Sequence, residues 1–84
     1  MHPDNLEGME TTTSKSKKAF GEAIRKQRKK CGYTQESFAF HCGLHRNYIS
    51  GIERGVRNIS LENIIKVASS LNLKVSELFI LAEM

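Results

Sequence analysis

Long apolar runs are missing from this 84-residue chain. Nothing approaches the roughly 20 residues a bilayer-spanning helix requires, and the polar, acid-containing N-terminus has no apolar stretch of the secretory kind. A cytoplasmic protein is expected. Cysteine is equally sparse: Cys31 and Cys42 show neither C-x-x-C spacing nor the density of a disulfide scaffold. Free thiols in a reducing compartment follow, both expected as small core residues. There is no phosphate-cradling glycine loop, no inward pair of carboxylates, and too little chain to enclose a pocket, so neither catalysis nor a small-molecule ligand is expected. His41, Cys42 and His45, with Cys31 upstream, are zinc-ligand types, yet their spacing matches no familiar finger. A core thiol with exposed histidines, and no metal or cofactor, is the expectation.

Basic charge, by contrast, is abundant and unevenly placed. Between Lys15 and Arg57 stand eleven Lys or Arg against Glu22, Glu36 and Glu53, a local charge of about +8, whereas the whole chain carries +4. A basic half joined to an acidic one implies a polyanion-facing side, although a merely solvated basic surface has the same signature. The length supports one small core of marginal stability, which a second copy would supplement.

Along the chain, residues 1–15 read as a flexible tail containing Pro3, Gly8 and the run Thr11 to Thr13, and residues 16–84 read as the folded domain. From about Ser16, Phe20, Ala23, Ile24 and Cys31 form one apolar stripe of a helix that stops at Gly32. Thr34 is placed to cap a short helix from Gln35 to about Cys42 that buries Phe38, Ala39 and Cys42. Gly43 supplies a tight turn and Leu44 an apolar anchor. The next helix, His45 to Arg54, turns Ile49 and Ile52 inward and Arg46, Asn47 and Ser50 outward. Ser60 caps a fourth helix with Leu61, Ile64, Ile65, Ala68 and Leu71 in helical register, ending at Asn72. A last segment from Val75 carries more apolar surface than one face uses.

A capped short helix, a glycine turn and a second helix with paired isoleucines ending in Glu53-Arg54-Gly55 form a helix-turn-helix. Through Thr34-Gln35-Glu36, Gly43-Leu44, Tyr48-Ile49-Ser50, Ile52-Glu53-Arg54-Gly55 and Leu78-Phe79, the sequence resembles the Cro and phage-repressor-like (XRE-type) family over roughly residues 17–80. The run Arg46 to Gly55, with Arg57-Asn58 after it, is similar to the controller proteins of restriction-modification systems. The resemblance implies an all-α, five-helix repressor-like domain whose second and third helices form the helix-turn-helix, and a transcriptional regulator of double-stranded DNA.

Carried over residue by residue, it implies that Arg46 donates to guanine O6 and N7 and that Asn47 pairs with adenine. Tyr48 either packs on sugar and a thymine methyl, its hydroxyl meeting a phosphate, or forms a half-buried edge of the core. Ser50 and Gly51 keep the reading helix slim. Thr34, Gln35, Arg54, Arg57 and Asn58 are the implied phosphate contacts. Arg28 and Glu53 match a structural ion pair of similar repressors. His45 and Lys74 depart from the pattern, because neither is an ordinary capping residue. Phe79, Ile80, Leu81 and Met84 are the expected dimer interface of a homodimer on a palindromic operator. Controller proteins further imply autoregulation, activating or repressing according to where RNA polymerase is met. The competing reading is an antitoxin or adaptor of the same fold whose main partner is a protein.

Overall fold

Helices supply all the regular structure of residues 3–82, which the computed structural model describes, with side chains described from Lys15 onward. They are α1 (Pro3–Lys30), α2 (Gln35–Cys42), α3 (Arg46–Glu53), α4 (Leu61–Ser70) and α5 (Val75–Leu81). Helix α1 begins at Pro3, well before the expected Ser16. Proline is accommodated in a first turn, where its missing N–H forfeits no bond, and Gly8 and the threonines lower helix propensity without interrupting the backbone ladder.

One core joins all five helices. Phe20 and Ile24 of α1 meet Phe38 of α2, Ile49 and Ile52 of α3, Val67 and Leu71 of α4 and Leu78 of α5. Helix α3 packs against α1 and α2, and α4 packs against α2 and α5. The short helices depend on this burial, since seven to ten residues are too few for a stable isolated helix in water.

Their ends are set by local chemistry. Thr34 Oγ1 accepts from the Ser37 amide at 3.0 Å while Ser37 Oγ accepts from the Thr34 amide at 3.0 Å, a closed capping box. Ser60 Oγ accepts from the Asn63 amide at 3.2 Å. Asn72 ends α4 in the left-handed region at φ 59°. His45 makes no side-chain cap. Lys74 has no acceptor to offer, but Glu77 compensates by accepting from the Lys74 amide at 2.7 Å.

Two expectations about burial are corrected, and the surplus apolar surface expected on α5 is present. Cys31 is exposed, because α1 leaves the core after Arg28; its thiol lies 3.9 Å from the Leu71 carbonyl. On α4 the buried stripe is Val67, Ala68 and Leu71 with Ile64 half-buried, while Leu61 and Ile65 are 70% and 51% exposed. Leu61 is the first residue of the helix, beyond what α2 and α5 cover, and Ile65 falls off the stripe. On α5 only Leu78 is buried; Phe79 stacks at 5.3 Å on Phe20, and Ile80 and Leu81 are 72% and 50% exposed. Met84 lies outside the described residues.

Candidate nucleic-acid interface

The orientation of α3 is determined at Gly43. With φ 71° this residue reverses the chain in a conformation that costs an L-side chain, and the amides of Gly43 and Leu44 return to the carbonyls of Phe40 and Ala39 at 3.1 and 2.9 Å. Ile49 and Ile52 then face the core. Arg46 and Asn47 stand exposed on the first turn, and Ser50 is half-exposed.

A buried charge pair fixes the other end of α3. Arg28 Nε and Nη2 donate to Glu53 Oε2 and Oε1 at 2.7 and 3.0 Å, with side chains only 7% and 2% exposed. The remaining Arg28 nitrogen donates to the Tyr33 carbonyl at 2.9 Å, and Gln35 Nε2 donates to Glu53 Oε1 at 3.0 Å. Glu53 thus ties α1, α2 and α3 to one carboxylate, in the paired and fully hydrogen-bonded state that buried charges require. The two helices also approach closely: a Cβ on Gly21 would collide with the backbone oxygens of Ile52 and Glu53.

These constraints distribute the expected DNA contacts unevenly. Thr34, Gln35 and Arg46 line one surface cleft together with Lys29. Gln35 Nε2 gives one of its two protons to Glu53, and Thr34 Oγ1 caps α2. Arg46 has no carboxylate partner among the described residues. Arg54, Arg57 and Asn58 are exposed on the loop between α3 and α4.

Gly51 sits differently from its expected place, whereas Tyr48 takes the half-buried edge of the core, one of its two expected places. Gly51 is buried, and a Cβ there would strike Arg57 Cγ, so its smallness makes room for the Arg57 stem. The Tyr48 ring is half-buried with the Arg57 guanidinium 5.9 Å from its centroid, and its hydroxyl donates to the Asn58 carbonyl at 3.3 Å while accepting from Asn63 Nδ2 at 3.0 Å. Asn63 was not singled out in the sequence, because within an apolar-striped helix it reads as one more polar residue.

Comparison with known proteins gives the same picture. A helix-turn-helix family model matches residues 24–78. The control protein C.BamHI of Bacillus amyloliquefaciens is 48% identical over 60 residues, covering 70% of this chain and 74% of its own length. The controller protein C.AhdI of Aeromonas hydrophila superposes with a TM-score of 0.73 at 46% identity, over 75% of this chain and 96% of that one. C.Esp1396I, solved as a tetramer on its natural 35 base-pair operator, matches at a TM-score of 0.74 and 31% identity, over 81% of this chain and 90% of its own. With its Gly43 turn, its anchored third helix and these relatives, the chain belongs to the Cro- and phage-repressor-like helix-turn-helix family and is similar, within it, to the controller proteins of restriction-modification systems.

Proposed function

We propose that this protein is a sequence-specific transcriptional regulator that binds double-stranded DNA as a homodimer on a palindromic operator, autoregulating a restriction-modification system from the bacterial cytoplasm. One observation carries the reading: Arg46 and Asn47 stand exposed on the first turn of a helix whose other end is held by a buried ion pair. Rigid presentation of a guanidinium and an amide is what bidentate reading of guanine and adenine edges requires. Arg54, Arg57 and Asn58 supply phosphate contacts that set register. The assembly of C.Esp1396I on its operator supports the same use of this fold. Contact with RNA polymerase then decides activation or repression by operator position.

The test is a titration of a labelled duplex from upstream of the protein's own gene beside a scrambled duplex, at two salt concentrations, with light scattering on the free protein. A dimer that prefers the upstream duplex supports the reading. A monomer that binds both duplexes alike, with steep salt dependence, returns the chain to the antitoxin or adaptor class.

A further inference from the structure

We propose that Asn63 is a positioning residue of the DNA-binding surface, latching α4 to α3 through the Tyr48 hydroxyl and thereby fixing loop 54–60, which carries Arg57 and Asn58. This rests on the DNA-binding reading above. The argument begins with the proton count at one phenol. Asn63 Nδ2 can only donate, so at 3.0 Å it occupies a lone pair of the Tyr48 oxygen. The single phenolic proton is then directed to the Asn58 carbonyl, 3.3 Å away. A hydroxyl in that state has no proton left for a phosphate, which accepts but does not donate. Tyr48 therefore serves the interface from inside, as the hub between the reading helix, α4 and the phosphate loop.

The same ring holds the loop from a second side. The Arg57 guanidinium lies 5.9 Å from the Tyr48 centroid, and its stem crosses Gly51 where no side chain intervenes. Backbone bonds from Gly55 and Val56 to the carbonyls of Ile52 and Gly51, both 3.0 Å, fix only the start of the loop. Its far half, with Arg57 and Asn58, is fixed through Tyr48 and Asn63.

The experiment uses the wild type, Tyr48→Phe, Asn63→Ala and the double variant, each checked for helicity and thermal unfolding. Anisotropy is read on the upstream duplex and on the scrambled duplex. Each single variant is expected to weaken both duplexes by a common factor of about three to ten, the worth of one neutral hydrogen bond, and the double variant to be no worse than either single. Additive losses in the double variant, or loss by Tyr48→Phe on the upstream duplex alone, would mean that the hydroxyl touches DNA on its own and would overturn the proposal. Backbone order parameters without DNA give an independent readout: those of the Arg57 and Asn58 amides should fall in both single variants while those of Gly55 and Val56 hold, and unchanged values at Arg57 and Asn58 would overturn the latch. Should the wild type prefer neither duplex while the order parameters respond as described, the DNA reading fails and the latch stands.

Discussion

At the scale of single residues, the arrangement turns on Arg28 and Glu53. Two charges taken this far out of water are tolerated because three donors converge on one carboxylate and the third arginine nitrogen finds the Tyr33 carbonyl. Removing one member leaves the other charged and dry. Glu53→Ala is expected to cost about 3 kcal/mol, which in a domain of this size lowers Tm by roughly 12 to 24 °C. Replacing both residues by methionine should recover most of that loss in thermal unfolding, because the pair's own net worth is small. The two thiols differ for a related reason. Burial pushes the Cys42 thiol above its ordinary value of 9.0, partly offset by a hydrogen bond with Ser70, whereas Cys31 is exposed. A disulfide reagent at mildly alkaline pH is expected to titrate Cys31 in the folded protein and Cys42 only after denaturant is added. Because folding favours the protonated Cys42, its contribution to stability is complete below the free thiol's value and is lost as pH climbs from there through the raised one.

At the scale of helices, close approach decides more than propensity. Gly21→Ala gains roughly 1 kcal/mol of helix propensity, yet its methyl would meet the Ile52 and Glu53 carbonyls, which are backbone and cannot step aside. The net expectation is destabilisation by about 2 kcal/mol in denaturant titration. Gly51→Ala differs, since the obstacle is the flexible Arg57 stem; stability should stay within about 1 kcal/mol while DNA affinity falls. This contrast also marks what the sequence made legible. Caps, glycine turns and apolar spacing are local, and Thr34, Gly43, Ser60, Ile49 and Ile52 take up the places they implied. Leu61 and Ile65 broke the pattern because periodicity gives the direction of a stripe but not how much of it neighbours cover. The Arg28–Glu53 pair was legible only through family resemblance. The Asn63–Tyr48 bond joins residues 15 apart across a loop whose path no local rule supplies.

At the scale of the whole molecule, the exposed apolar residues stand out. Ile80 and Leu81 on α5, like Leu61 and Ile65 on α4, Phe40 on α2 and Val56 in the loop after α3, leave half or more of their apolar surface in water. Pairing through α5 would cover part of it and place two reading helices on one operator, so Ile80→Lys is expected to yield a monomer by light scattering and to weaken operator binding without changing the monomer's fold. The central claim remains that specificity resides in the exposed first turn of α3. It is tested most directly by the ratio of affinities for the upstream and scrambled duplexes, measured at one salt concentration for the wild type and for Arg46→Ala. Loss of one bidentate guanine contact should shrink that ratio by about 1 to 3 kcal/mol, roughly five- to 150-fold per reading helix, while leaving affinity for the scrambled duplex nearly unchanged. An unchanged ratio, with both affinities falling together, would contradict the claim and reduce Arg46 to one more phosphate-binding cation.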